Sequence, residues 1–195
     1  MSNNKNSDNI ETIITNLLES VGDDPQRPGL IETPHRVEKM YQEILGSINQ
    51  TEFTDYKLFD NESVGADQDV MVTNIPFYSM CEHHMLPFFG VANVAYVPND
   101  KIIGLSKIPR LIDFVSHRLT LQEKLTHDIA LELNRILKPK GIVVQTEARH
   151  MCVEMRGVKK LNSVTKSKYY DGIYKEQPDM LNNFIMTVNS NRGSL

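Results

Sequence analysis

The apolar residues of this chain follow two different periods, and the order of those periods limits the folds that the chain can adopt. Two stretches near the N-terminus place apolar residues at the spacing of amphipathic helices. Segments 69–77 and 89–98 are rich in β-forming residues instead, and two more helical stretches precede a long strand candidate, from Ile142 to about Met155. A strand candidate within 163–176 and a last helix follow. This segregation predicts an α+β fold with an antiparallel sheet.

Residues typical of helix N-termini mark where the helices begin. Asp8 and Glu11 resemble a capping pair ahead of the first helix. Thr33, as N-cap, is followed by a proline at the first helical position of the second helix. Ser106 caps the first helix after the β-rich stretch, and Pro178 starts the last one.

Composition and charge exclude several classes of protein. The chain has 195 residues, of which 40% are apolar, and its net charge is −4, which leaves no electrostatic footprint for nucleic acid. No stretch approaches the roughly 18 consecutive apolar residues of a membrane span. The polar N-terminus lacks the apolar region of a secretory signal. We therefore expect a cytoplasmic protein of one domain with a small appendage, without nucleic-acid or membrane partners.

The two cysteines both lie beside histidines. Cys81 and His84 are three apart in Cys-Glu-His-His, which is plausible as half of a zinc site. His150 and Cys152 are two apart in the predicted long strand, so their side chains share a face. Because the adjacent His83 and His84 cannot easily both bind one ion, one of them is free for proton transfer. The alternative is that both cysteines are ordinary core residues.

Basic residues gather at one predicted helix start. Ser106, Lys107 and Arg110 lie there, where free N–H groups and the helix dipole favour anions, and Arg156 follows the second Cys/His segment. Basic residues near a zinc site indicate a polyphosphate substrate. The alternative is that Lys107 and Arg110 belong to a solvated helix face.

Two further pairs of residues have a functional and an ordinary interpretation. Gln122 and Glu123 open the second central helix, where an exposed acid usually complements the helix dipole. A buried carboxylate could instead accept hydrogen bonds from the N1–H and the exocyclic amine of guanine. Arg36 and Lys39 are three apart on the polar side of the second N-terminal helix, so they share a face.

Several long segments resemble GTP cyclohydrolase I. They are CEHHMLPFFG, VAYVP, GLSKIPR, LQEKLT and ARHMCVEMRGV, with DPQRPGLIETPHRVEKMY upstream, and the similarity covers roughly residues 10–188. The resemblance implies the tunnelling fold, an antiparallel sheet with two helices on one side, preceded by N-terminal helices. It implies an N-terminal helical segment over 1–55 and a catalytic domain over 56–195. It also implies a ring-shaped homo-oligomer, a decamer of two stacked pentamers with active sites between subunits.

The resemblance further implies hydrolytic opening of GTP to 7,8-dihydroneopterin triphosphate and formate, the first step of pterin and tetrahydrofolate biosynthesis. The residues that match the family are Cys81, His84 and Cys152 as zinc ligands; His83 and His150 in proton transfer; Ser106, Lys107, Arg110 and Arg156 on the triphosphate; Gln122 and Glu123 on guanine; and Arg36 and Lys39, which enter the site from a neighbouring subunit.

Two other functions compete with this interpretation. One is a zinc-stabilised nucleotide-binding module without turnover, which a fourth protein ligand in place of water would favour. The other is the nitrile reductase of queuosine synthesis, an enzyme of the same fold that uses a nucleophilic cysteine and no zinc. The intact set of Cys81, His84 and Cys152 speaks against the second alternative.

Overall fold

The structure, a computed structural model, describes residues 9–62 and 68–190. The chain divides into two compact units, one that ends at Gly46 and one that begins at Ser47. In the described residues, no helix is both long enough and apolar enough to cross a membrane.

The first unit contains two helices, as the sequence predicts. They are α1 (Ile10–Ser20) and α2 (Thr33–Ile44). The side chain of Asn9 caps α1, whereas the predicted capping residue Asp8 lies outside the described residues. Thr33 is the first residue of α2 and not its N-cap, because the helix begins one residue earlier than predicted.

The second unit is built around one sheet. Its elements are β1 (Leu58–Asp60), β2 (Val70–Cys81), β3 (Pro87–Val97), β4 (Lys101–Ile103), α3 (Lys107–Ser116), β5 (Leu119–Thr120), α4 (Gln122–Leu137), β6 (Gly141–His150), α5 (Met151–Glu154), β7 (Thr165–Gly172), α6 (Ile173–Glu176) and α7 (Pro178–Ser190). The main sheet has the order β5-β2-β3-β6-β7, and β1 pairs with β4 separately. All pairings are antiparallel except that of β5 with β2. The predicted α+β fold is therefore confirmed, with one short parallel edge strand.

Alternate residues of β3 enter two different cores. Val94 and Tyr96 pack in the larger core with the buried faces of α3 and α4. Ala95 and Val97 enter a smaller core with Phe184 of α7. Because successive side chains of a strand point to opposite faces, α3 and α4 cover one face of the sheet and α7 packs on the other.

The long strand predicted to reach Met155 ends earlier, at His150, so the geometric argument that paired His150 with Cys152 is wrong. The chain turns into the single helical turn of α5, which carries Cys152. Arg149 and Glu154 stabilise this turn: the guanidinium donates two hydrogen bonds, of 2.8 and 2.6 Å, to a carboxylate that is only 3% exposed. The ion pair therefore holds α5 against the end of β6.

β3 and β6 approach each other closely beside Gly90. Gly90 is opposite Ala148 in β6, and a Cβ atom at Gly90 would lie 1.8 Å from the carbonyl oxygen of Glu147. That neighbour is backbone, so the clash cannot be relieved by rotating a side chain.

We expect Gly90→Ala to lower the free energy of unfolding by about 2 to 4 kcal/mol, because β3 and β6 must move apart. Urea unfolding followed by circular dichroism measures this loss. Gly104→Ala is the control, since its nearest neighbour would be an ordinary 3.6 Å away, and its effect should stay within about 1 kcal/mol. Equal stabilities for the two variants would contradict the close approach.

Candidate metal centre and active site

Two thiols and one imidazole meet at one end of the sheet. Cys81 is the buried last residue of β2, His84 lies in the turn between β2 and β3, and Cys152 lies in α5. One ligand atom from each lies within 4.8 Å of the other two. Since Zn–S and Zn–N distances are about 2.3 and 2.0 Å, one ion can contact all three atoms with little rearrangement.

A tight turn brings His84 to Cys81. The amide of Cys81 donates to the carbonyl of Leu86 (2.9 Å), and the amide of Met85 donates back to the carbonyl of Cys81 (2.8 Å). Met85 has a φ of 51°, in the left-handed region, which reverses the chain. His83 is exposed on the same turn, its ring 6.3 Å from that of His84 and nearly perpendicular to it, and it does not belong to the three-residue group.

The donor set fits a thiophilic divalent cation. Burial, and after it the neighbouring Cys81, raises the pKa of the Cys152 thiol. Two adjacent thiolates repel in a partly buried place, and a divalent cation between them removes that cost. Two cysteines and one histidine also match the three protein ligands of catalytic zinc sites, which keep one position for water.

Arg156 contacts the group directly. Its Nη1 lies 2.6 Å from Nε2 of His84. A guanidinium only donates, so this imidazole nitrogen accepts and carries no proton. The basic residue that the sequence associates with phosphate therefore lies against one of the proposed metal ligands.

The amide of Gln122 holds His150 in a buried network. Gln122 is 1% exposed, and its Nε2 faces three acceptors: the carbonyls of Thr146 (3.2 Å) and Thr165 (3.0 Å) and the hydroxyl of Thr146 (3.1 Å). Its Oε1 lies 2.8 Å from Nε2 of His150. Phe88 stacks on the His150 ring at 4.9 Å.

This network fixes the tautomer of His150. Because two partners of the Gln122 NH₂ group are carbonyls, the amide oxygen must face His150, whose Nε2 therefore carries the proton and donates it. Nδ1 is then the basic nitrogen. Burial lowers the pKa of His150, while the charge of Glu123 acts in the opposite direction, and the net shift favours the neutral ring at neutral pH.

Gln122 and Glu123 differ in their accessibility. The NH₂ protons of Gln122 are engaged by Thr146 and Thr165, so the side chain presents no free donor to a purine. Glu123 is exposed in the first turn of α4, and its charge opposes the lowering of the pKa of His150. Of the two, Glu123 is the residue open to a ligand.

The basic residues predicted to gather at a helix start do so at the first turn of α3. Ser106 is the exposed N-cap of α3 and makes no side-chain capping hydrogen bond. Lys107 and Arg110 both contact the carboxylate of Asp55, at 2.5 and 2.7 Å. A cluster of two cations and a hydroxyl therefore exists, and an internal anion already bridges its cations.

Within one chain, the basic residues Ser106, Lys107 and Arg110 and the group of two cysteines and one histidine lie toward opposite ends of α3. The last residue of α3, Ser116, accepts a hydrogen bond of 2.8 Å from Ser79, near the end of β2 that carries Cys81. A helix of this length spans about 15 Å. Arg36 and Lys39 are exposed on α2, in the other compact unit, and Arg36 pairs there with Glu32.

Sequence reasoning did not find three neighbours of the site. Asp55 is far from Lys107 along the chain, and Thr146 and Phe88 look like ordinary strand residues. Nothing in the sequence marks any of them, because their roles follow from the pairing of strands and from a loop that returns to α3.

An α+β chain with a three-ligand Cys/His group, a neutral histidine near it and a basic helix start has the parts of a metal-dependent enzyme for a phosphorylated substrate. The family model described as GTP cyclohydrolase I matches residues 10–189. The chain belongs to the GTP cyclohydrolase I family.

Relatives with similar sequences agree with this family. A GTP cyclohydrolase 1 of Latilactobacillus sakei is 57% identical over 180 residues, which cover 92% of this chain and 95% of that protein. A GTP cyclohydrolase 1 of Lactiplantibacillus plantarum is 50% identical over 189 residues, 96% of this chain and 99% of that one. The bifunctional protein FolKE of Lactococcus lactis is 56% identical over 92% of this chain and 52% of its own length. Among solved structures, an archaeosine synthase QueF-Like in the apo form has a TM-score of 0.45 and 14% identity, covering 55% of this chain and 97% of that chain.

We expect zinc binding to tighten as the pH rises. The Cys152 thiol, whose pKa is raised by burial and by Cys81, must lose its proton when it binds metal. Each proton released lowers the apparent dissociation constant by about tenfold per pH unit below the thiol pKa. Competition with a chromophoric chelator at about pH 6.5 and pH 7.5 measures the slope.

Cys152→Asp is the matched variant, because a carboxylate is already ionised over this range. Its zinc affinity should depend less steeply on pH, whatever its absolute value. A slope equal to that of the wild type would show that the Cys152 proton is not released on metal binding.

Proposed function

We propose that this chain hydrolyses GTP to 7,8-dihydroneopterin triphosphate and formate, the first step toward tetrahydrofolate and other pterins. The observation that carries the proposal is the convergence of Cys81, His84 and Cys152 within 4.8 Å in a member of this family. Incubating the metal-defined protein with GTP, and measuring pterin fluorescence and formate together, tests it directly.

Zinc is the metal that this donor set fits, and Cys81, His84 and Cys152 are its proposed ligands. When bound, zinc supplies a Lewis acid that makes water a better nucleophile at neutral pH. Among the described residues, no fourth Cys, His, Asp or Glu joins the group, which favours a catalytic site over a closed structural one. The alternative of a nucleotide-binding module without turnover is therefore the weaker proposal.

His150 and His83 are the proposed proton-transfer residues. His150 is neutral, and its Nε2–H donates a hydrogen bond to Gln122. Nδ1 is therefore the nitrogen that can take up a proton. His83 is exposed on the turn beside His84, so its ring is accessible to a substrate. The two histidines thus serve a hydrolysis in which the purine imidazole ring gains and loses protons.

Guanine recognition is proposed for Glu123, since a carboxylate accepts from both the N1–H and the exocyclic amine of guanine. Gln122 was predicted as its partner. The NH₂ group of Gln122 is hydrogen-bonded within the protein, so the proposed role of Gln122 is to orient His150. Of its amide group, only the oxygen can accept a further hydrogen bond from a base.

The basic residues proposed to bind the triphosphate do not all lie at one place within a single chain. Ser106, Lys107 and Arg110 share the first turn of α3, whereas Arg156 contacts the metal group. The opposite placement of these clusters along α3 favours a site shared between subunits. We propose that Arg36 and Lys39 are likewise supplied by a neighbouring subunit.

The proposed assembly is the ring-shaped decamer of two pentamers, with the tunnelling fold as its repeating unit. The antiparallel pairing of β2, β3, β6 and β7 and the position of α3 and α4 on one face support that fold. We further propose residues 1–55 as the N-terminal helical segment and 56–195 as the catalytic domain. The cytoplasmic location stays a prediction from the sequence.

We expect the two adjacent histidines to separate metal binding from turnover. His84→Ser removes a proposed ligand and should lose most of its zinc together with activity. His83→Ser should keep zinc and GTP binding but lose about 10²–10⁴-fold in rate, the usual contribution of a proton-transfer group. Metal content by atomic absorption, measured beside the turnover rate, distinguishes the variants. Full activity in His83→Ser, or full zinc in His84→Ser, would refute the assignment.

A shared active site predicts complementation between inactive variants. Lys107→Ala lacks a phosphate contact and His84→Ser lacks a metal ligand, so neither alone should turn over GTP efficiently. If the two residues act from different subunits, mixed oligomers contain some intact sites, and activity should recover to about a quarter of the wild-type value.

The control for this experiment is a mixture of Cys152→Ala with His84→Ser, since both variants damage the same metal group. That mixture should recover nothing. No recovery in the test mixture after complete subunit exchange would place Lys107 and His84 in the site of one chain. Recovery in the control as well would show that the gain in the test mixture does not come from sites shared between subunits.

A further inference from the structure

A carboxylate already occupies the basic turn of α3. One oxygen of Asp55 lies 2.5 Å from Nζ of Lys107, and the other lies 2.7 Å from Nη1 of Arg110. These hydrogen bonds, first that from Lys107 and then that from Arg110, hold the pKa of Asp55 below its usual value. Asp55 is therefore charged and bridges two of the cations assigned to the triphosphate.

The backbone is anchored on both sides of Asp55, by Phe53 before it and by the Lys57 carbonyl, which accepts from the amide of Gly104 (3.1 Å), after it, whereas the Asp55 side chain itself is exposed. Phe53 is buried, its amide donates to Glu132 (2.5 Å), and its carbonyl accepts from Arg135 (2.9 Å). Residues 54–57 are exposed and belong to no helix or strand. Because it is exposed, the Asp55 side chain can rotate away from the first turn of α3 while the backbone on both sides stays in place.

The two cations need an anion between them. The Lys107 side chain is only 19% exposed, and Arg110 lies three residues further along on the same face of α3. Like charges at this spacing repel, and an ammonium that is partly removed from water gains from a charged partner. A polyphosphate offers the same contacts with more charge, and it repels a carboxylate that stays in the same place.

We propose that Asp55 is an internal competitor for the phosphate groups of the substrate, bound to Lys107 and Arg110 in the empty enzyme and displaced by the triphosphate. The inference rests on the proposed function, since it takes the first turn of α3 as the triphosphate site. Each phosphate ligand must offset the loss of both Asp55 contacts. Asp55 therefore lowers affinity for every phosphate and favours ligands with enough charge to replace it.

Binding of inorganic tripolyphosphate to the purified full chain, measured by isothermal titration calorimetry, tests the inference without turnover. Asp55→Asn keeps the shape of the side chain and removes its charge, so binding should tighten about three- to tenfold. Asp55→Glu keeps the carboxylate and should return affinity toward that of the wild type. With GTP as substrate, the change in Asp55→Asn should fall on KM and not on kcat.

Asp60→Asn is the matched control, because Asp60 is an exposed aspartate paired with Lys101 between β1 and β4. The same change in net charge at Asp60 should alter affinity by less than about twofold. Unchanged or weaker binding in Asp55→Asn would overturn the inference, because the carboxylate would then orient the cations and not compete for them.

Lys107→Ala distinguishes this failure from that of the proposed function. If wild type and Lys107→Ala bind tripolyphosphate equally well or not at all, the turn is not the phosphate site, and both the triphosphate assignment and the competition are wrong. If binding depends on Lys107 and Asp55→Asn changes nothing, only the competition is wrong.

Discussion

The register of β3 against its two neighbours determines where the cysteines and histidines of the candidate site lie. Pairing of Met80 with Pro87 sets the turn that carries Cys81 and His84. On the other side of β3, Phe88 pairs with His150, so β6 finishes at the same end of the sheet as that turn. A slip by one residue would move each side chain to the opposite face, so the site exists only in this register. The close approach at Gly90 and the burial of both faces of β3 favour this one alignment.

Polar groups around the site have partners inside the protein before any ligand binds. Arg156 donates to His84, Gln122 orients His150, and Asp55 bridges Lys107 and Arg110. Such pairing avoids the cost of leaving a charged or polar group partly buried and alone. Of the three, only the Gln122 network is centred on fully buried side chains, those of Gln122 and Thr146, and it fixes the orientation of His150. The other two contacts are more exposed, and a metal or an anion can exchange with them at low cost.

Local patterns predicted the parts of this protein better than their arrangement. The Cys-x-x-His spacing works because a short turn brings the two residues together, and helical periodicity located α3 and α4 because their buried stripes are regular. The path of the chain after His150 could not be predicted, since the turn into α5 depends on an ion pair between side chains. The pairing of Asp55 with Lys107 depends on a loop that returns from a distant part of the sequence. The separation of the basic residues of α3 from the Cys/His group could not be predicted either, because it depends on how α3 packs on the sheet.

The placement of the two sulfur ligands has a thermodynamic consequence. Cys81 and Cys152 belong to segments that are roughly 70 residues apart in the chain, and α3, α4, β3 and β6 all lie between them. An ion held by both thiolates joins the ends of that long loop, as a reversible counterpart of a disulfide that needs no oxidising compartment. By the entropy of closing a loop of this length, such a crosslink disfavours the unfolded chain by about 4 kcal/mol. A cation bound by these two thiolates would thereby also tie together most of the sheet and its two covering helices.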